Sequence, residues 1–124
     1  MQMAWKLDSD RPIYTQLLEQ IQMQIVSGTY PCGSKLPSVR ELASEAGVNP
    51  NTMQKAFAEL ERRGLILTQR TAGRFVTQDK DLILHIRQEL AKEQLNQFLH
   101  KMRQLGYEGK EILSFFETEQ KEEQ

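Results

Sequence analysis

The run Asn-Pro-Asn-Thr-Met-Gln-Lys at residues 49 to 55 concentrates side chains that can hydrogen-bond to nucleic acid. Asn and Gln each offer a donor and an acceptor that match the edge of adenine, whereas Lys suits guanine or a phosphate. Small residues such as Asn51 and Thr52 at a helix start permit close backbone approach, and the helix dipole favours a phosphate there. The same residue types also occur on ordinary solvated helix faces, so this pattern alone leaves a binding surface and a plain polar surface equally open.

The segment that carries these side chains has the period of an amphipathic helix. Asn49 is a good N-cap, and Pro50 fits the first helical position, where its missing N–H breaks no bond. Val48 before the cap and Met53 after it fit a hydrophobic staple. The inward stripe consists of Met53, Ala56, Phe57 and Leu60. The polar residues between 51 and 55 are therefore expected to face outward.

Two further helices are predicted before this one. The segment RPIYTQLLEQIQMQIVSG has apolar residues at helical spacing, with Pro12 near its start and Gly28 at its end. The segment SVRELASEAG opens with Ser38 and carries Glu41 three residues later, which predicts a reciprocal capping box. Gly47 ends this second helix, and the short connection to the third is typical of a helix-turn-helix.

The segment LILTQRTAGRFVT, which follows the third helix, predicts two short strands around a polar turn that contains Gly73. The predicted apolar strand positions are Leu65, Leu67 and Phe75, with Val76 as a further candidate. Arg70 and Arg74 flank the turn. Three helices and a hairpin with a basic tip predict a winged helix-turn-helix, a mainly α fold with a small β-hairpin. Such folds usually place the third helix in the major groove while the wing contacts backbone or minor groove.

The charge distribution agrees with a nucleic-acid interface in the middle of the chain. Residues 35 to 78 carry seven Lys/Arg against four Asp/Glu, whereas residues 1 to 34 carry two against three and residues 79 to 124 carry seven against ten. A basic middle within a chain of net charge −1 is expected when one module meets phosphate and another does not. Lys35, Arg62, Arg63 and Arg74 suit phosphate contacts or, equally, a solvated surface.

The tail has the pattern of a helical dimerisation region. A long helix is predicted there, with Ile83, Ile86, Leu90 and Leu99 widening its apolar stripe. Members of the stripe are Leu84, Ala91, Leu95, Phe98, Met102 and Leu105. GYEG breaks this helix, KEILSFFETEQ predicts a short second one, and the last residues are expected to fray. So broad a stripe favours a symmetric homodimer over a tail folded back on its own winged helix. We therefore expect a DNA-binding domain at 1–78 and a dimerisation region at 79–124.

Composition excludes several other classes of protein. No apolar run approaches the roughly 20 residues that span a bilayer, and the amino terminus lacks a signal-peptide pattern. Cys32 is the single cysteine, so an internal disulfide and a cysteine metal cluster are excluded. His85 and His100 lack an evident set of partner ligands, and no nucleophile or phosphate-loop motif indicates an enzyme. The expectation is a cytoplasmic protein with no cofactor, no metal and no membrane association.

The runs GTYPCGSKLPSVRELASEAGVNPNTMQKAFAELERRGLI and AGRFV closely resemble the DNA-binding domain of GntR-family bacterial transcription regulators. The match covers roughly residues 10 to 78. Most subfamilies carry a large effector-binding domain after the wing, whereas about 46 residues follow it here. This short helical tail resembles the YtrA-type subfamily.

The resemblance implies roles for particular residues. Arg40 would contact the DNA backbone or a base edge from the second helix, and Gly73 matches the wing-tip glycine. The third-helix positions that contact bases and phosphates in relatives are Asn49, Asn51, Thr52, Gln54 and Lys55. Lys35, Ser38 and Arg70 complete the predicted DNA-binding set. Relatives commonly have a second wing glycine where this chain has Thr71, which leaves the wing contact open.

These patterns together predict a homodimeric transcription regulator, a repressor that binds an inverted-repeat operator in double-stranded DNA. Membership of the YtrA-type group would imply control of its own operon, often one that encodes an ABC transporter. The alternative is a winged-helix protein-interaction or assembly module. The operator sequence, the regulated genes and any small-molecule effector are open at this stage.

Overall fold

The computed structural model describes residues 5 to 123, and side chains up to residue 122. It confirms a mainly α fold with a small β-hairpin. In chain order, the elements are α1 (Ile13–Val26), α2 (Val39–Ala46), α3 (Pro50–Arg62), β1 (Ile66–Gln69), β2 (Gly73–Val76), α4 (Lys80–Gln104) and α5 (Gly109–Glu123). Within the described residues, no helix is both long enough and apolar enough to cross a membrane.

Local capping fixes the ends of α2. The Ser38 hydroxyl accepts a hydrogen bond from the Glu41 backbone N–H at 3.1 Å, and Gly47 ends the helix in the left-handed region at φ +71°. Within residues 5 to 123 the Glu41 side chain makes no return bond to the Ser38 N–H, so only half of the predicted capping box forms. The Ser38 hydroxyl alone caps the helix, because it accepts from a first-turn backbone N–H that has no partner within the helix.

The three amino-terminal helices and the hairpin share one hydrophobic core. Its largest fully buried side chains are Leu17, Ile21, Ile25, Leu42, Met53, Phe57, Leu60, Leu65, Ile66 and Val76. The apolar stripe predicted for α3 lies wholly within this core. Burying each large aliphatic or aromatic side chain contributes roughly 1.5–3 kcal/mol, so the core fixes where the opposite, polar face of α3 points.

The hairpin register places the predicted apolar strand positions on different faces. Ile66 pairs with Val76, and both are buried, whereas Leu67 pairs with Phe75 and is 48% exposed. Successive strand residues point to opposite faces, so Ile66 on the core side places Leu67 on the outside. Of the predicted apolar positions, Leu65 and Val76 are therefore buried, whereas Leu67 is exposed. Gly73 begins β2, while residues 70 to 72 form the turn.

A third segment pairs with the free edge of β2. The Leu36 N–H donates to the Arg74 carbonyl and the Val76 N–H donates to the Ser34 carbonyl, both at 2.8 Å. Lys35 lies opposite Phe75 in this antiparallel bridge. The connection between α1 and α2 is thereby tied to the wing.

The chain divides after Arg87 into two compact units. In the first unit, Ile83 and Ile86 of α4 pack against the winged-helix core, while Leu84 is exposed. The functional division between residues 78 and 79 stays a prediction.

In the second unit, Ile112 is buried and the Tyr107 and Phe115 rings meet edge to face at 5.1 Å. The α5 helix has 15 residues and continues to Glu123, so the predicted short helix with a frayed end was wrong. Glu, Gln and Lys dominate its last turns, and these are good helix formers.

Candidate nucleic-acid interface

The start of α3 is built by its cap. The Asn49 side-chain oxygen accepts a hydrogen bond from the Asn51 backbone N–H at 2.7 Å, and Pro50 occupies the first helical position. This bond confirms the predicted N-cap. Because the oxygen of Asn49 is committed to the helix, its amide hydrogens are the groups that remain to face a ligand.

The outward face of α3 presents the predicted polar residues. Asn51, Gln54 and Lys55 are exposed, and Thr52 is half-buried beside them. The Lys55 ammonium lies 4.0 Å from the centroid of the Tyr14 ring on α1. A cation over an aromatic face is held by the ring quadrupole, so Tyr14 supports Lys55 at the surface. This role of Tyr14 was not predicted from the sequence.

The wing brings together residues that are distant in the sequence. Gly73 has φ +104°, and a Cβ atom at this position would lie 3.1 Å from Cε of Lys35. The Lys35 stem therefore lies on the glycine, and its ammonium belongs to the wing. Arg70 is exposed in the turn, three residues before Gly73. The wing thus has a basic edge, made by Lys35 and Arg70 near Gly73.

Arg74 joins the wing to α3. Its Nη2 donates to Oε1 of Gln54 at 3.2 Å, and its Nε lies 3.4 Å from Oε1 of Glu61. The guanidinium also lies 5.5 Å from the Phe57 ring centroid, and the Thr68 hydroxyl donates to Glu61. Gln54, Phe57 and Glu61 share one face of α3 because they are three and four residues apart. That spacing is the only signal in the sequence for this contact.

Glu59 pairs with two arginines at the end of α3, Arg62 in its last turn and Arg63 at its C-cap. Its carboxylate accepts from Arg62 at 2.5 and 2.8 Å and from Arg63 at 3.2 Å. The hydrogen bond from Arg62, helped by Arg63, lowers the pKa of Glu59 to about 2. Arg63 also donates to the Gln22 side-chain oxygen at 3.0 Å. The sequence left phosphate contact and a solvated surface equally open for these arginines. In the structure both bind intramolecular partners.

Two predicted residues lie on α2 or at its start. The Ser38 hydroxyl is the α2 cap, which leaves its own hydrogen as the group able to bond elsewhere. Arg40 is exposed on the first turn of α2, and within residues 5 to 123 no ion pair engages it. Direct contact of any of these side chains with DNA stays a prediction.

A helix-turn-helix with an outward polar third helix, and a hairpin with a basic edge beside it, define a winged-helix DNA-binding protein. Residues 13–76 match the family of bacterial regulatory proteins named gntR.

Relatives and solved structures agree with the family match. The chain is 36% identical to the uncharacterized HTH-type transcriptional regulator YhcF of Bacillus subtilis, over 91% of this chain and 93% of YhcF. It is 40% identical to the HTH-type transcriptional repressor YtrA of the same organism, over 81% of this chain and 78% of YtrA. A GntR family transcriptional regulator from Listeria monocytogenes has a structure with TM-score 0.85 and 40% identity, covering 90% of this chain and 98% of that one.

The chain belongs to the GntR family of bacterial regulatory proteins. It is a DNA-binding transcription regulator, and its relatives are regulators rather than enzymes. The predicted resemblance to GntR-family proteins and to YtrA is confirmed.

Proposed function

We propose that this regulator is a repressor that binds an inverted-repeat operator as a homodimer. The observation that carries the proposal is the juxtaposition of the exposed α3 residues Asn51, Gln54 and Lys55 with the wing, which Arg74 ties to the same helix. In a winged helix this arrangement lets α3 read base edges in the major groove while the wing contacts the backbone.

The pairing of the cations suggests which of them meet phosphate. Arg62 and Arg63 share the carboxylate of Glu59, and Arg74 pairs with Glu61. Within residues 5 to 123, Lys35, Arg40 and Arg70 form no ion pair. A cation without an intramolecular partner gains most from a phosphate, because no existing bond has to be broken. We therefore assign the backbone contacts to Lys35, Arg40 and Arg70.

The homodimer is supported by apolar side chains that the second unit leaves exposed. In α4, Leu95 is 54% exposed and Phe98 is 47% exposed. Leu105, just after this helix, is 73% exposed, and Phe116 of α5 is 55% exposed. Ala91 is also exposed and Met102 is half-buried. Monomeric proteins rarely expose so many large apolar groups on one short unit. A second copy of the chain would cover them, because a two-fold dimer pairs the same surface of both copies.

Control of transcription would follow from occupancy of the operator in the cytoplasm. Repression is proposed because the relative YtrA is named a repressor. The resemblance to the YtrA-type group further suggests that the operator lies before the regulator's own operon and that this operon encodes an ABC transporter.

A gel shift with the duplex upstream of the gene tests this function. Wild-type protein is titrated against that duplex and a shuffled duplex of equal length, at several salt concentrations between 50 and 200 mM. We expect preferential binding whose affinity falls steeply with salt, since each neutralised phosphate makes the slope of log K against log salt more negative by about 0.9.

Variants separate the reading residues from the cations. Gln54→Ala should weaken binding to the operator more than to the shuffled duplex, whereas Arg40→Ala or Arg70→Ala should weaken both and lower the salt slope. Arg62→Gln is the matched control, because Glu59 already occupies that guanidinium. Absence of salt-sensitive binding at micromolar protein would refute the proposal.

A further inference from the structure

The Arg74 side chain lies along α3 between two acceptors that are seven residues apart. Its Nη2 reaches Gln54 at 3.2 Å and its Nε lies 3.4 Å from Glu61, while Phe57 lies under the guanidinium at 5.5 Å. Glu61 in turn accepts the Thr68 hydroxyl, and Thr68 is the cross-strand partner of Arg74. The guanidinium is thus held at several points, and three quarters of the Arg74 side chain is buried.

This geometry fixes which end of the Gln54 amide meets Arg74. A guanidinium carries only donors, so the amide must turn its oxygen toward Arg74 and its NH₂ away from it. The two amide atoms have similar shapes, so their assignment rests on hydrogen bonding. Here the donor-only guanidinium decides which of them is the oxygen. In the described part of the chain the Gln54 NH₂ has no hydrogen-bond partner, and the residue is exposed.

The orientation changes what Gln54 can read. A free glutamine pairs with adenine through both amide groups, accepting from N6 and donating to N7. The Gln54 oxygen has a second lone pair, but it is turned toward Arg74, so the group that the amide directs away from Arg74 is its NH₂. Guanine presents two acceptors in the major groove, N7 and O6, whereas cytosine presents a donor. An amide that presents its NH₂ to the base therefore favours guanine over adenine at its base pair.

We infer that Arg74 is a positioning residue that sets the base preference of Gln54 by holding its side-chain oxygen. It acts through Gln54 and contacts neither base nor phosphate. The inference rests on the proposed function, because it requires α3 to read DNA.

Competition binding on a systematically varied operator tests the inference. Wild-type protein first selects its operator from a random duplex library, and each base pair is then changed to the other three. Gln54→Ala identifies the base pair read by Gln54 as the one where discrimination is lost. At that pair wild type should prefer guanine over adenine by roughly fivefold or more. Arg74→Ala should shift the preference toward adenine.

A double variant separates positioning from direct contact. In the Gln54→Ala background, Arg74→Ala should cause no further change in base preference at this pair, because the two substitutions remove the same interaction. Arg74→Lys keeps the charge without the planar fork and should shift the preference as Arg74→Ala does. Arg70→Ala is the matched wing control, expected to lower the salt slope without changing base preference.

Two kinds of failure can be told apart. If wild-type protein selects no sequence, the proposed function fails. If it selects an operator but Arg74→Ala weakens binding equally at every base and lowers the salt slope by about 0.9 per wing, Arg74 is a phosphate contact and the inference is overturned. A wild-type preference for adenine at the Gln54 pair also overturns it. Thermal melting of each variant confirms that the proteins compared are folded.

Discussion

The Asn49 side-chain oxygen and the Asn51 backbone N–H are joined by a 2.7 Å hydrogen bond that begins α3. Asn49 therefore has a structural role that is complete without DNA, while its amide hydrogens remain able to bond to DNA. Asn51 contributes its backbone to the cap and keeps its side chain exposed. Initiation of the helix and the proposed contact with DNA would use different atoms of these two residues, so substitution can separate them.

Asn49→Ala should lower the free energy of unfolding by about 1 kcal/mol, because an orphan amide of the first turn loses its acceptor. Asn49→Ser should stay close to wild type in stability, since a serine hydroxyl also caps well. If the Asn49 amide contacts DNA, the serine variant should bind the operator several-fold more weakly at fixed salt. Urea unfolding at a fixed protein concentration and gel shifts measure the two quantities. Equal loss of stability in both variants would contradict this division.

Gly73→Ala should destabilise the wing. The residue has φ +104°, and the added Cβ would lie 3.1 Å from Lys35 Cε, so backbone strain and a displaced side chain act together. A side chain in such a backbone conformation costs about 1–3 kcal/mol. Gly109→Ala is the matched control, because its Cβ would meet no atom within 4 Å and its φ is ordinary. Urea unfolding should show a loss for the first variant and no loss for the second; a stable Gly73→Ala would argue against a rigid wing tip.

Local signals made much of this fold predictable. Ser38, Gly47 and Asn49 each satisfy a backbone group within a few residues, so the ends of α2 and the start of α3 could be read directly. The inward stripe of α3 follows from helical period alone. The hairpin was harder, because Ile66 and Leu67 are adjacent and equally apolar, and only contact with the helices decides which faces the core.

The candidate site was predictable in its residues and less so in its contacts. Gln54 and Arg74 are 20 residues apart, and Lys35 lies far in sequence from Gly73. Such pairs are set by how the wing packs on α3, which no periodicity encodes. Arg62 and Arg74 looked alike in the sequence as candidate phosphate contacts, and only their partners Glu59 and Glu61 distinguish them from Arg70.

Leu95→Glu should convert the protein to a monomer. Leu95 is 54% exposed, so the change should leave the fold of one chain intact while placing a charge in the proposed dimer interface. Sedimentation velocity should show a wild-type species of twice the 14.4 kDa chain mass and a variant of that mass. Gln97→Glu adds the same charge on another face of α4 and should remain dimeric. A wild-type chain that stays monomeric at high concentration would refute the dimer.

The pairing of Glu59 with Arg62 and Arg63 should appear as a pH dependence of stability. These hydrogen bonds lower the pKa of Glu59 from 4.5 to about 2, so the folded state holds the charged carboxylate more strongly than the unfolded chain does. The contribution is therefore fully present above pH 4.5 and is lost as the pH falls through 2. The difference in free energy of unfolding between wild type and Glu59→Gln should be constant near neutral pH and shrink toward pH 2. Because the pairs lie at the surface, 1 M NaCl should reduce that difference at neutral pH. A difference that does not change between pH 7 and pH 2 would mean that the glutamine acts through packing rather than through charge.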